Sequence, residues 1–245
     1  ENSEPPSEDG ALADLLVDDP TPTNDANSHT SKDTTFKNPI IINEYAWLWL
    51  NRNGTTTTLT DRVYDVAFGE NLTKEERIDL YTKNLAMLTE YWRTQRECAG
   101  VLHFCGLAYS RSEEPRGQTS DHFINIENLT YEPKFVKHVK PAFAPVGLMI
   151  DFWDKTVSAS EIDEIEVVMI NDLNESWSGI LQFSIFSGDN ELQQQQKEVK
   201  LQPFEKLVVA FNPELPSESG EYWLEAKITV DGQPVTTSRE FRITQ

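Results

Sequence analysis

The chain has few cysteines, few basic residues and no long apolar run. Cys98 and Cys105 are its only 2 cysteines, too few for the disulfide framework of a small secreted domain, and we expect free thiols. Lysine and arginine total 21 against 41 aspartates and glutamates, for a formal charge of -20. Because nucleic-acid binding needs a basic surface, this charge excludes DNA and RNA as partners. No apolar run approaches the roughly 20 residues that span a bilayer, so no membrane span is predicted.

Motifs for common cofactor and nucleophile chemistry are also missing. The chain has no glycine-rich phosphate loop, no serine nucleophile elbow and no zinc-binding helix motif, which excludes kinases, lipases and zinc proteases of the usual types. Cys98, His103 and Cys105 match no standard zinc spacing, and buried thiols are the better interpretation. We therefore expect neither a metal nor a cofactor.

Composition divides the 245 residues into three regions. Residues 1–35 hold nine acids against one lysine, with prolines interrupting any periodicity, which predicts an acidic loop or disordered arm. Residues 36–142 alternate apolar runs with a helical pattern and form an α/β region. Residues 143–245 repeat short strand candidates separated by turns, which is typical of an all-β module.

The segment 38–50 carries the strongest functional signal. It runs Asn-Pro-Ile-Ile-Ile-Asn-Glu-Tyr-Ala-Trp-Leu-Trp-Leu. Residues 39–42 predict a short strand buried on both faces, as in a parallel sheet covered by helices. Glu44 then lies at the carboxyl end of that strand, where barrel enzymes place catalytic groups. Flat apolar surfaces for a sugar ring are offered by Tyr45, Trp47 and Trp49. The alternative is a partly exposed glutamate that ends an ordinary core strand, with tryptophans packed beneath it.

A helix and a second strand follow. Thr73 and Glu76 form a capping box ahead of an apolar stripe that predicts a helix ending near Arg96. Residues 101–105, after Gly100, predict the next strand. Strand, helix and strand make a crossover unit of parallel sheet.

The final region predicts about seven short strands. The candidates are residues 146–153, 165–170, 180–186, 207–211, 222–230 and 236–243. Asp231-Gly232 is a hairpin turn signal between the last two, and this length and strand number predict an immunoglobulin-like β-sandwich. The glutamine tract 193–196 predicts a solvated loop or a strand edge. Pro133 begins a helix, and Pro141 and Pro145 break the chain before the sandwich.

In this order the parts resemble the carboxyl-terminal portion of a clan A glycoside hydrolase, closest to family 2, the β-galactosidase and β-glucuronidase type. The resemblance rests on Ile-Ile-Ile-Asn-Glu-Tyr, the long helix, Gly-Val-Leu-His-Phe and the sandwich. It implies a partial (β/α)8-barrel, consisting of its last strands and helices, followed by the immunoglobulin-like sandwich. Glu44 matches the nucleophile of a retaining enzyme that hydrolyses β-glycosides.

The resemblance also implies a set of sugar contacts. The family's tryptophan at the end of the eighth strand is absent, and Phe104 or Tyr109 takes its place. For Asp121 and His122, the competing interpretation is a loop ion pair with solvated neighbours. The candidate substrate-binding residues are Asn43, Tyr45, Trp47, Tyr109, Asp121 and His122.

One family residue has no counterpart here. The acid/base glutamate lies far upstream of the nucleophile, and residues before 38 leave no room for it, so we expect the isolated chain to be inactive. An open barrel fragment exposes strand edges, which we expect the missing barrel segment or self-association to cover. The rival hypothesis is a non-catalytic carbohydrate-binding or protein-interaction module. An extracellular or periplasmic location is favoured, and the four Asn-x-Ser/Thr sequons are compatible with chance.

Overall fold

Most of the regular structure is β-strand, and the contacts group the chain into two compact units. The computed structural model describes residues 40–158 and 162–244. The acidic arm 1–35 and the first residues of segment 38–50 lie outside this range. One unit comprises Glu1–Asn84 with Glu97–Glu132, and the other comprises Leu85–Arg96 with Pro133–Gln245. The division falls at Pro133, before the boundary expected at residue 142. In the described part of the chain, no helix is long and apolar enough to cross a membrane.

The first unit contains the predicted pair of parallel strands. Strand β1 (Ile40–Asn43) pairs with β2 (Cys98–Leu102) in parallel, and the register places Asn43 opposite Leu102. The pairing direction confirms the strand-helix-strand prediction. The described residues of this unit also include the short helix α1 (Val63–Phe68), the first part of the long helix described below, and the strands β3 (Phe123–Asn125) and β4 (Thr130–Tyr131), which form a two-stranded sheet of their own.

Two details of this parallel pair differ from the sequence prediction. Strand β1 is not buried on both faces: Ile40 and Ile42 are half-buried, while Ile41 and Asn43 are exposed, because the sheet has two strands among the residues that the structure describes. Strand β2 was predicted over residues 101–105, but it begins at Cys98 and ends at Leu102. Pairing stops there because β1 itself ends at Asn43, leaving the residues after Leu102 without a partner strand.

The long helix α2 (Lys74–Thr94) begins at the predicted capping box. The Thr73 amide donates to the Glu76 carboxylate at 2.7 Å, and the Glu76 amide donates to the Thr73 hydroxyl at 3.2 Å. These reciprocal bonds satisfy amides that have no partner within the helix. The buried hydroxyls of Thr82 and Thr89 donate to helix carbonyls one turn earlier, at 2.9 and 2.7 Å, so the helix buries polar side chains without losing their hydrogen bonds.

The second unit combines the carboxyl-terminal part of α2 and one short helix with two β-sheets. Helix α3 spans Pro133–Ala142, so it starts at the predicted proline but continues past Pro141. The strands are β5 (Val146–Asp151), β6 (Thr156–Val157), β7 (Ile165–Asn171), β8 (Trp177–Ser187), β9 (Asn190–Leu201), β10 (Lys206–Phe211), β11 (Gly220–Val230) and β12 (Gln233–Ile243). All six predicted strand candidates coincide with one of these strands.

The two sheets of this unit share one hydrophobic core. Their strand orders are β10-β7-β5 and β6-β12-β11-β8-β9, with antiparallel pairing except between β6 and β12. Inward residues from both sheets, such as Val167, Phe183 and Leu224, belong to a single buried cluster. Alternation of buried and exposed residues along β11 and β12 places every second side chain in this core.

The local turn and edge signals are found where the sequence placed them. Val230 pairs with Gln233 across a two-residue turn, in which Asp231 and Gly232 have φ of 50° and 73°. Positive φ at both positions is the type I′ geometry that matches the strand twist, and the predicted hairpin is confirmed. The glutamine tract 193–196 lies in β9, at the edge of the five-stranded sheet.

Candidate functional site

Glu44 directly follows β1, at the carboxyl end of the parallel pair. Its amide donates to the Leu102 carbonyl at 3.0 Å, which extends the contact with β2 by one residue. The residue is half-buried. The two strand ends therefore hold the backbone of Glu44 in place.

The backbone around Glu44 is strained. Glu44 has φ of 68° and Ala46 has φ of 53°, although neither is glycine, asparagine or aspartate. Left-handed conformations cost such residues about 1–2 kcal/mol each, so surrounding contacts must maintain them. Strain of this kind is concentrated at binding and catalytic sites, which makes the loop at residues 44–46 the strongest candidate site in the first unit.

The aromatic residues after Glu44 divide into buried and exposed members. Trp49 is buried, and its indole donates to the Phe104 carbonyl at 3.0 Å. Trp47 stacks on Trp49 with ring centroids 6.0 Å apart and an interplanar angle of 17°, and it remains 57% exposed. Tyr45, by contrast, is 7% exposed and packs edge-on against His103. Trp47 thus presents a ring surface to solvent, whereas Tyr45 supports the loop from beneath.

Asn43 and Tyr109 are also exposed. The side chain of Asn43 lies on the open face of β1. Tyr109 is 59% exposed, and its hydroxyl accepts a hydrogen bond from Arg111 at 3.1 Å. Both side chains are open to a ligand in solution.

Asp121 is buried and fully occupied by donors. Arg52 donates to it from Nε at 3.2 Å and also from Nη2. The Phe123 amide donates to Oδ1 and the Ala108 amide to Oδ2, both at 3.1 Å. A carboxylate offers about four lone pairs, so four donors leave none for a sugar hydroxyl. This geometry is that of a loop ion pair, in which the carboxylate of Asp121 is fully buried and its partner Arg52 is half-buried.

His122 is buried within a cluster of aromatic and imidazole rings. Its Nε2 lies 2.7 Å from His103 Nε2 and 3.4 Å from the Tyr81 hydroxyl. Burial lowers the pKa of His103 to about 4. Burial, and then the charge of His103, lower the pKa of His122 well below 6.5. Both imidazoles are therefore neutral at pH 7.

Sequence reasoning missed this cluster. In the sequence, His103 stands between two cysteines at a spacing that matches no zinc site, and Tyr81 lies in the apolar stripe of α2. Nothing in the local sequence links residues separated by 19 and 41 positions. The contact arises because the end of β2, the segment before β3 and α2 meet in the first unit.

Metal-ligand geometry is missing from the described residues. Within residues 40–158 and 162–244, no group of three or more histidine, cysteine, aspartate or glutamate side chains is arranged to hold a metal ion. Cys98 and Cys105 are free thiols, and burial raises the pKa of both. The sulfur of Cys105 lies 3.9 Å from the Ser120 carbonyl.

Comparison with known proteins gives only partial structural matches. No protein-family model matches the chain, and no curated protein sequence matches it. A β-glucosidase from Listeria innocua in complex with glucose matches with a TM-score of 0.33 and 15% identity, over 42% of this chain and 16% of that chain. A β-glucosidase from Erythrobacter marinus matches with a TM-score of 0.29 and 15% identity, over 40% and 15%.

Another match is of a different kind. The CARDB domain of a Pyrococcus furiosus protein, in complex with di-metal ions, has a TM-score of 0.32 and 18% identity, over 42% of this chain and 91% of that chain. The chain spans about one sixth of the length of the β-glucosidases, 16% in the Listeria enzyme. These TM-scores are too low to carry an argument about function, which has to come from the chain's own residues.

Proposed function

We propose that the chain is the carboxyl-terminal portion of a retaining β-glycoside hydrolase of the family 2 type, with Glu44 as its nucleophile. The observation that carries this proposal is the position of Glu44, a carboxylate on a strained loop at the carboxyl end of a parallel strand pair. Ionised, it would attack the anomeric carbon and form a covalent glycosyl intermediate. The first unit then corresponds to the closing part of a (β/α)-barrel and the second to an immunoglobulin-like sandwich.

The proposed sugar contacts are those candidate residues whose side chains are exposed to solvent. Trp47 would stack on a pyranose face, Asn43 would hydrogen-bond a hydroxyl, and Tyr109 would stand where the family has its tryptophan. Tyr45 and His122 would not contact the sugar directly but would support the loop at residues 44–46. Asp121 has no free lone pair for a sugar, so we leave it out of the proposed contacts.

The acid/base residue of this proposal lies outside the chain. A retaining enzyme needs a second carboxyl group about 5 Å from the nucleophile to protonate the leaving group. Asp121 is an unsuitable acid, because Arg52 and two backbone amides already occupy its carboxylate oxygens. The isolated chain is accordingly expected not to hydrolyse β-glycosides.

A partner for the open sheet belongs to the same proposal. Ile41 and Leu102 lie on the same face of the β1-β2 pair, and each is 55% exposed. Parallel sheets are normally covered on both faces and paired at their edges, so a further barrel segment or a second copy would cover this one. Sedimentation velocity tests whether the exposed face binds a partner. A compact monomer over a wide concentration range, which also fails to bind a separately added barrel segment, would contradict this part of the proposal.

The nucleophile is tested with a 2-deoxy-2-fluoro β-glycoside carrying a dinitrophenolate leaving group. This leaving group departs without protonation, so labelling does not need the missing acid/base. We expect one fluoroglycosyl group on Glu44 by peptide mass spectrometry, no label in Glu44→Gln and unchanged labelling in Glu113→Gln, which alters an exposed turn.

Two other outcomes would decide against the hydrolase proposal. Saturable sugar binding without any covalent label would favour the rival function, a carbohydrate-binding module, for which the exposed ring of Trp47 is the supporting observation. Label on other carboxylates but not on Glu44 would remove its role as nucleophile.

A further inference from the structure

His103 and His122 form a buried contact that the proposed chemistry does not use. The two Nε2 atoms lie 2.7 Å apart, so one must donate a proton and the other must accept it. The Tyr81 hydroxyl lies 3.4 Å from the same nitrogen of His122. A phenol can donate here, so the single lone pair of His122 Nε2 can accept the short bond from His103 and a longer, weaker one from Tyr81.

The surroundings of His103 agree with this assignment. Its Nδ1 is buried and has no hydrogen-bond partner. If Nε2 of His103 carries the proton, Nδ1 is an unpaired acceptor rather than an unpaired N–H donor. Orphaned donors are the rarer case in folded proteins, so His103 as donor and His122 as acceptor is the favoured arrangement.

A proton on His122 Nε2 reverses this arrangement. The nitrogen that accepted from two neighbours would become a donor facing two donors, with His122 itself buried. Neither the contact with His103 nor the one with Tyr81 can then be kept in its present form. His103 can accept from the protonated ring only if its own proton moves to Nδ1, which is buried without a hydrogen-bond partner. This orphaned N–H and the burial of the new charge both favour movement of His122 away from α2 and from the end of β2.

We infer that the His103–His122 contact is an acid-sensitive switch, in which proton uptake by His122 opens the packing of α2 and the end of β2 against the segment around His122. The inference does not depend on the proposed hydrolase function. It concerns only the first unit, because all three side chains belong to it.

Neighbouring groups that titrate at high pH cannot produce this effect. Burial raises the pKa of Tyr81 well above 10. The pKa of the Cys105 thiol is also raised, by burial first and then by the charges of Asp121 and Glu44. Both groups stay protonated from pH 4 to 8.

The carboxylates near the cluster are Asp121, next to His122 in sequence, and Glu44, whose neighbour Tyr45 touches His103. Asp121 is held by Arg52 and backbone amides, a different set of bonds from those of His122. Substituting the histidines separates their titration from that of the carboxylates.

The direction of the effect follows from the lowered pKa values. A histidine whose pKa is lower in the closed state than in the open state favours the closed state at pH values above its ordinary pKa of 6.5. Closure is lost as pH falls below that value, until the pKa of the closed state is reached, which is about 4 for His103. Each imidazole contributes up to about a tenfold change in the opening equilibrium per pH unit.

Hydrogen-deuterium exchange of the full chain between pH 7.5 and 4.5, corrected for intrinsic exchange rates, tests the inference. Peptides covering residues 79–84, 101–104 and 120–124 should lose protection below pH 6.5, by up to about tenfold per pH unit for each histidine. In His122→Gln and His103→Gln, an uncharged amide can keep a hydrogen bond, so the pH dependence should flatten. His138→Gln makes the same chemical change in α3 and should behave like the wild type.

Three results would overturn the inference. The first is protection in these peptides that stays constant over the pH range. The second is a pH dependence that persists in both cluster variants, which would assign it to a carboxylate. The third is a loss of protection together with that of β11 and β12, which would identify general acid unfolding rather than a local opening.

Discussion

The carboxylate of Glu90 and the guanidinium of Arg239 form an ion pair at 2.9 Å in which both side chains are almost completely buried. The hydroxyl of Thr237 donates to the same carboxylate oxygen at 2.8 Å. The Arg239 guanidinium carbon also lies 4.7 Å from the centre of the Trp153 ring, a cation-π distance. The pair joins the carboxyl-terminal half of α2 to β12 within the second unit.

Truncating one member of this pair should be severely destabilising. Glu90→Ala leaves the Arg239 charge buried without a counter-ion, and we expect a loss of about 3–5 kcal/mol in the free energy of unfolding. Glu221→Ala is the matched control, because its partner Arg242 is exposed and such pairs contribute at most about 1 kcal/mol. Urea denaturation followed by tryptophan fluorescence measures both variants. Equal losses in the free energy of unfolding for the two variants would show that the buried pair stabilises the fold no more than the exposed pair does.

The same pair should make stability depend on pH. Burial raises the pKa of Glu90 above 4.5, although Arg239 acts in the opposite direction. A carboxyl that holds its proton more tightly in the folded state favours folding at low pH, and this contribution is lost as pH rises through the folded-state pKa. Glu90→Gln abolishes the titration, so the wild type should lose stability relative to this variant as pH rises above 4.5. A constant difference between the two from pH 4 to 8 would refute the expectation.

The capping box of α2 should respond to acid in the opposite direction. Hydrogen bonds from the Thr73 amide and hydroxyl lower the pKa of Glu76. The contribution of this carboxylate to folding stability is therefore present above pH 4.5 and is lost as the pH falls. Thr73→Ala should cost about 1 kcal/mol at pH 7 and remove this pH dependence. The difference in melting temperature between the wild type and the variant should therefore be smaller at pH 3 than at pH 7. A gap of unchanged size at pH 3 would mean that Thr73 acts without Glu76.

The hairpin between β11 and β12 should depend on its glycine. At φ of 73°, an alanine at position 232 would pay about 1–2 kcal/mol for the left-handed conformation. Gly106→Ala is the control, because that residue lacks a positive φ and an added Cβ meets open space. We expect a lowered melting temperature for Gly232→Ala and little change for the control. If the melting temperature of Gly232→Ala equals that of the wild type, the turn must readily adopt another geometry.

Features encoded within a few residues could be predicted from the sequence. The capping box at Thr73 needs only a threonine followed three residues later by a glutamate, and the turn at Asp231-Gly232 needs only two residues that tolerate positive φ. The parallel pairing of β1 and β2 followed from the helix between them, since a helical crossover joins strands that run in the same direction.

Features that join distant residues could not be predicted in this way. Arg52 and Asp121 are 69 residues apart, and no local pattern marks either as the other's partner. The positive φ at Glu44 and Ala46 was equally hidden, because neither residue type favours that conformation. It is imposed by the surrounding packing, and a single sequence records this packing only indirectly.

The glutamine tract in β9 affects the neighbouring sheet. Gln195 donates to the Asn212 carbonyl at 3.0 Å, and Lys197 donates to the Ala210 carbonyl, so side chains of one sheet occupy one backbone acceptor in β10 and one directly after it. A charged lysine at a strand edge is a known defence against strand addition. An invading strand from another molecule would have to displace these donors first, so amyloid-like stacking is disfavoured along this side of β10.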